Sequence, residues 1–193
     1  METLATWQWQ MTNRITDIRS LRNYVDMTDQ EASEVTAAQS KFRWAITPYY
    51  VSLMDKHDQH CPIRMQAIPS ILETQNQIGI QDPLQEEAQS PTLGVIHRYP
   101  DRVAFTVSSE CAMYCRHCTR KRFVGQPVQR TTWQAIQAGI DYVKKTESIR
   151  DVLVTGGDPF ILSDDRLERI LKALRSIDHV EIIRFGTRTP CTL

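Results

Sequence analysis

From Val103 onward, apolar segments of strand length alternate with amphipathic helical stretches, and this alternation restricts the fold more than any other feature of the chain. Val103 to Val107 reads as a strand. Thr132 to Lys145 reads as a helix with Trp133, Ile136, Ile140 and Val143 on one face, and Asp151 to Thr155 as a second strand. Ser163 then caps a helix whose Leu167, Ile170, Leu171 and Leu174 form an apolar stripe, and Val180 to Phe185 gives a third strand. The order βαβαβ implies parallel strands joined by right-handed crossovers, which an open doubly wound sheet or a (β/α) barrel would satisfy. In both folds functional groups gather at the carboxyl ends of the strands. Three conspicuous segments stand there: Cys111 to Gly125, Gly156-Gly157-Asp158-Pro159, and Gly186-Thr187-Arg188.

The first 95 or so residues have a different character, helical and loop-linked. Thr28-Asp29-Gln30-Glu31 fits a capping box, with Ala32, Val35, Ala38 and Phe42 following at helical spacing, so a helix is expected from about 29 to 43. Ala45 to Tyr50 begins another, with Pro48 in its first turn. From Asp82 to Pro100 the chain is rich in Pro, Gln and Glu without a period, which predicts a linker. The expected division is therefore a helical N-terminal region over 1–95 and an α/β portion over 96–193. A complete eight-unit barrel needs roughly 200 to 250 residues of its own. The expectation is thus the amino-terminal part of a longer barrel, in which a third strand left unpaired at its edge makes the isolated portion marginal or prone to associate.

Composition narrows the function classes. The 193 residues are 41% apolar and 24% charged, ordinary globular material, and their 23 basic and 23 acidic side chains cancel. No basic excess points to nucleic acid or a membrane surface, so the partner expected is a small molecule. The N-terminus lacks the basic and apolar regions of a signal peptide and no stretch reaches the roughly 18 apolar residues of a span, which predicts a cytoplasmic protein. In a reducing compartment 5 cysteines are not a disulfide framework, and Cys111, Cys115 and Cys118 cluster while Cys61 and Cys191 stand apart.

That clustering asks for a metal. Cys-x3-Cys-x2-Cys on a loop directly after a strand supplies thiolates, the ligands iron–sulfur clusters prefer, and a cubane is usually held by four. Three ligands leave one iron with open coordination sites, as a catalytic metal differs from a closed structural one. The competing reading is structural zinc completed by His117 or Cys61. His117 lies between two of the cysteines, where the chain would have to double back to aim all four groups at one ion.

Cys111-Ala-Met-Tyr-Cys115-Arg-His-Cys118 resembles the radical S-adenosylmethionine signature. The run His97-Arg98-Tyr99-Pro100-Asp101-Arg102-Val103, the stretch Cys115 to Gly125, and further matches at Ala45 to Tyr50, Gln66 to Pro69 and Arg150 to Asp158 are similar to the lysine 2,3-aminomutase family, specifically its N-terminal half. The three-cysteine motif specifies the superfamily; the flanking matches narrow it. The resemblance implies a partial TIM-like radical SAM barrel made of the first βαβαβ units, a 4Fe-4S cluster on Cys111, Cys115 and Cys118, S-adenosylmethionine on the open iron, and pyridoxal phosphate. It implies transfer of an α-amino group from C2 to C3 through a 5'-deoxyadenosyl radical and a pyridoxal phosphate imine.

Residue by residue, the resemblance gives Gly156, Gly157 and Asp158 to the methionyl amino group and Arg188 to the cofactor site, where it could meet a carboxylate. Two glycines at a strand end let backbone approach a ligand closely, and a carboxylate suits an ammonium. Pro159 stands where many relatives have alanine. Arg120 matches the position that grips the substrate carboxylate, for which a planar guanidinium is suited. Arg98, Tyr99 and Arg102 match positions around pyridoxal phosphate. The lysine that binds this cofactor lies, in the family, beyond Leu193, as do the groups that distinguish substrates, so the isolated chain is expected to be inactive. The implied partners are an amino-acid substrate and a reductant such as flavodoxin or ferredoxin, with a homo-oligomer for the full-length protein. Alternatives are a glutamate 2,3-aminomutase-type relative, an enzyme acting on protein-bound lysine, for which a shorter N-terminal region is expected, and a non-catalytic iron–sulfur-binding fragment.

Overall fold

The computed structural model describes residues 6–75, 79–126 and 131–193. The chain divides into two compact units: Met1–Ile80 with Ala112–Arg122 and Pro190–Leu193, and Gln81–Cys111 with Phe123–Thr189.

The first unit is built of short helices: α1 (Trp7–Thr12), α2 (Ile18–Leu21), α3 (Asp29–Gln39), α4 (Pro48–Ser52), α5 (Pro62–Met65) and α6 (Leu72–Gln75). The expected capping box is present at α3, where the Thr28 side chain accepts from the Glu31 N–H and the Glu31 carboxylate accepts from the Thr28 N–H. This helix ends at Gln39 rather than near 43, where the N–H groups of Ser40 and Lys41 tighten onto the carbonyls three residues back, of Ala37 and Ala38. Thr47 caps α4 by accepting from the Tyr50 N–H, with Pro48 in the first turn. Leu21, Val25, Val35, Ile46, Tyr50, Val51, Ala67 and Met113 form the core. Helices of four to six residues are too short to hold themselves. Their order comes from this core and from cross-links such as the buried Arg64, which donates to the Asp26 carbonyl and to Glu31, both at 2.9 Å.

The second unit holds a mixed sheet in the order β1 (Val95–Tyr99), β2 (Arg102–Ser108), β3 (Asp151–Gly156), β4 (Ile182–Phe185). Strands β2, β3 and β4 are parallel, as the βαβαβ pattern predicts. Strand β1 corrects the reading of 82–100 as a linker: it pairs antiparallel with β2, matching Val95 to Phe105 and Ile96 to Ala104. Two longer helices pack on the sheet, α7 (Trp133–Lys145), capped by Thr132, and α8 (Asp164–Arg175). Ser163 occupies the N-cap of α8 but makes no side-chain capping bond. Ile136, Ile140 and Val143 of α7 and Ile170 and Leu174 of α8 bury against Phe105, Val107, Val152 and Val154. Full burial contributes on the order of 2 kcal/mol per side chain of this size. The chain is thus a mixed α/β structure, and no helix among the described residues is long and apolar enough to cross a membrane.

Candidate functional site

At its carboxyl end β2 runs on toward Cys111, and the end of β3 lies against that run. The Gly157 N–H donates to the Ser108 carbonyl at 2.6 Å and the Asp158 N–H to the Glu110 carbonyl at 2.7 Å. A Cβ on Gly156 would stand 2.2 Å from the Ser108 oxygen, and one on Gly157 would stand 2.3 Å from the Glu110 oxygen. Gly156 also has φ +137°, a conformation side chains rarely adopt. The close approach that two glycines permit is therefore made by the chain's own backbone, on the stretch leading into Cys111.

Asp158 is 4% exposed and fully engaged. One oxygen accepts from the Phe160 N–H at 3.0 Å and the Thr187 hydroxyl at 2.7 Å. The other accepts from the N–H groups of Arg188 at 2.7 Å and Thr189 at 3.0 Å. A carboxylate offers about four lone-pair sites, and all four are filled here. The side chain ties the segment after β4 to the end of β3, and Arg188 reaches the same corner through its backbone.

The cysteine loop is rooted on β2 at both ends, since the Gly125 N–H donates to the Ser109 carbonyl at 2.7 Å. Cys111 belongs to the sheet unit; Cys115 and Cys118 belong to the helical unit. None of the three is in a disulfide, and all are half-buried. Within the helical unit Met113 packs in the core with Cys115 against it, the Tyr114 N–H donates to the Ala45 carbonyl, and the Arg116 N–H donates to the Gln66 carbonyl. The Cys118 Sγ accepts from the Arg120 N–H at 3.3 Å, which sets the half-buried Arg120 directly after the last thiol. His117 is exposed, whereas Cys61 is buried at the start of α5. Backbone N–H groups of Arg64 and Asp55 hold the Cys61 thiol below the usual range. Among the described residues no three His, Cys, Asp or Glu side chains gather closely enough to hold a metal ion. In residue type and number Cys111, Cys115 and Cys118 are the donor set that an iron–sulfur cluster with one open iron takes.

Sequence reasoning did not single out Glu73. Its carboxylate, on α6, receives the buried Arg116 guanidinium at 2.9 and 2.7 Å and the Lys121 ammonium at 2.8 Å. Burial pushes this carboxyl up, but the bonds from Arg116 and Lys121, the Arg116 charge and the Ser70 N–H together outweigh it, so it titrates below the usual range. The spacing Ser70-x-x-Glu73, half of a capping box, was the available sequence signal.

Arg98, Tyr99 and Arg102 do come together. The guanidinium carbons of Arg98 and Arg102 lie 5.9 and 5.8 Å from the centre of the Tyr99 ring. Arg102 is also clamped by Asp101 at 2.9 and 3.2 Å, and this pairing holds the Asp101 carboxyl below its usual range. The trio surrounds the start of β2, roughly 20 Å from its Ser108 end by strand rise, so it is not brought to the corner formed by Gly156, Gly157, Asp158 and Arg188.

No protein-family model matches the chain. Curated aminomutases, however, align with nearly all of it. It is 47% identical to the L-lysine 2,3-aminomutase of Fusobacterium nucleatum over 97% of this chain and 44% of that protein. It is 46% identical to that of Clostridium subterminale, with 97% and 45% covered. It is 45% identical to the glutamate 2,3-aminomutase of Clostridioides difficile, with 97% and 44% covered. The similarity is thus to amino-acid 2,3-aminomutases of both lysine and glutamate. Over nearly its whole length the chain is similar to part of the lysine 2,3-aminomutases, consistent with their N-terminal half. It spans less than half the length of these relatives.

Proposed function

We infer that this chain is the cluster- and S-adenosylmethionine-binding portion of a radical aminomutase moving the α-amino group of an amino acid from C2 to C3, on a partial (β/α) barrel. The observation that carries the reading is the alignment of nearly this whole chain with named 2,3-aminomutases, together with three closely spaced cysteines, none in a disulfide, that follow the end of β2. Cys111, Cys115 and Cys118 would hold the cluster. Bound there, a 4Fe-4S cluster would supply single-electron reduction of a sulfonium, and pyridoxal phosphate would supply a carbonyl for the migrating amine.

The chain's own residues then bind and orient. Gly156 and Gly157 present backbone at the strand end, and Asp158 holds the Arg188 segment beside it, so a methionyl ammonium would meet main-chain carbonyls while Arg188 faces a carboxylate. Arg120, fixed through its backbone to Cys118, would take the substrate carboxylate and set the amino acid beside the cluster. Arg98 and Arg102 would serve a phosphate and Tyr99 a ring. Identity to the glutamate enzyme nearly equals that to the lysine enzymes, which suits a portion serving the α-amino and α-carboxylate groups common to both substrates. A reductant of the flavodoxin or ferredoxin type would deliver the electron, and this portion alone would form no β-amino acid.

The test is anaerobic loading with iron and sulfide followed by electron paramagnetic resonance. A cluster signal that shifts on adding S-adenosylmethionine supports an open iron. Tight zinc with no iron uptake overturns the reading.

A further inference from the structure

Two cations flank Cys118 in the loop, and both end on one carboxylate. Arg116 is among the most buried charged side chains of the helical unit, with only 6% of its side chain exposed. Its Nε and Nη2 donate to the two oxygens of Glu73, its Nη1 donates to the Arg43 carbonyl at 3.1 Å, and its backbone N–H donates to the Gln66 carbonyl at 2.9 Å. Lys121 joins Glu73 from the other side of Cys118, with its ammonium 4.6 Å from the centre of the Phe42 ring. Glu73 is itself nearly closed to solvent, and the Ser70 N–H takes the remaining position, so its acceptors are filled.

Between these anchors the backbone is turns. The Cys118 N–H donates to the Cys115 carbonyl at 3.2 Å and the Lys121 N–H to the Cys118 carbonyl at 3.4 Å, and no strand or helix stiffens the segment. A turn of this kind is ordinarily mobile unless held from outside. Here it is held by a bidentate guanidinium pair in a nearly dry setting, which is directional as well as strong.

We propose that Glu73 is the positioning residue of the cysteine loop: by gripping Arg116 and Lys121 it sets the spacing of Cys115 and Cys118 before any metal arrives. This rests on the reading of those thiols as iron ligands. Removing the Glu73 charge leaves Arg116 buried without its counter-ion, so the loop must open to hydrate it.

The test uses the full chain and its Glu73→Gln variant. In the metal-free proteins, amide exchange over 115–121 is expected to rise about tenfold while exchange in β3 stays unchanged. After loading with iron and sulfide, release of iron to a chelator is expected to be about tenfold faster. Unchanged exchange in the loop, or iron release equal to the parent's, would overturn the proposal. Should Glu73→Gln not fold, Lys121→Met cuts one arm and keeps the other; about threefold faster loop exchange supports the proposal and no change refutes it. If the parent itself takes up no iron, the cluster reading fails, while the exchange result still decides whether Glu73 holds the loop.

Discussion

The sheet unit and the helical unit hold their parts of one cysteine motif by different means. The sheet unit carries Cys111 on backbone: a continuation of β2 packed against Gly156 and Gly157 so closely that no Cβ fits. The helical unit carries Cys115 and Cys118 on core packing and two backbone bonds to which a side-chain ion network, Glu73 with Arg116 and Lys121, is added. Backbone packing is blind to charge and pH but intolerant of added atoms. An ion network tolerates shape and fails when a charge is lost. The two units should therefore fail under different insults.

The largest effect expected from that contrast is at Gly156. Alanine there meets the Ser108 carbonyl and adopts a disfavoured φ, and the sheet unit should lose roughly 3 kcal/mol in urea titration, with little change on acidification. Next is Glu73→Gln, costing about 2 kcal/mol of helical-unit stability at neutral pH. Because the folded Glu73 carboxyl titrates below the usual value of 4.5, its contribution is complete above that pH and disappears as pH falls through the lower folded value. Acid should loosen the parent's helical unit first, and the variant should show a flatter profile, as stability curves between neutral pH and pH 3 will reveal. A smaller effect, roughly 1 to 2 kcal/mol, is expected for Asp158→Asn, whose amide would face the N–H groups of Arg188 and Thr189. Faster exchange confined to 187–189 would sharpen the comparison, since there the sheet unit also relies on a buried carboxylate. Equal sensitivity of both units to acid would break it.

The same contrast explains what could be read in advance. Parallel strands and the helices covering them announce themselves by period, and Ile136, Ile140, Val143, Ile170 and Leu174 all bury as their spacing demands. Strand β1 escaped because five residues between Gly94 and Pro100 carry no period, and its existence depends on pairing with Phe105 and Ala104. Strand β4 begins at Ile182 rather than Val180, because the Val180 N–H still closes the turn onto the Ile177 carbonyl. The thiols were legible from spacing. Glu73 was not, since its partner Arg116 lies 43 residues away. The work of Asp158 depends likewise on Thr187, 29 residues on, so the motif marked the position while its role needed the fold.

The most direct test of the central claim is iron and sulfide content after anaerobic loading of the parent and of five single cysteine-to-serine variants. About four irons per chain are expected in the parent and in Cys61→Ser and Cys191→Ser, with most of the iron lost in Cys111→Ser, Cys115→Ser and Cys118→Ser. Full iron in any of those three, or its loss in Cys61→Ser, would contradict a cluster held by three thiolates alone.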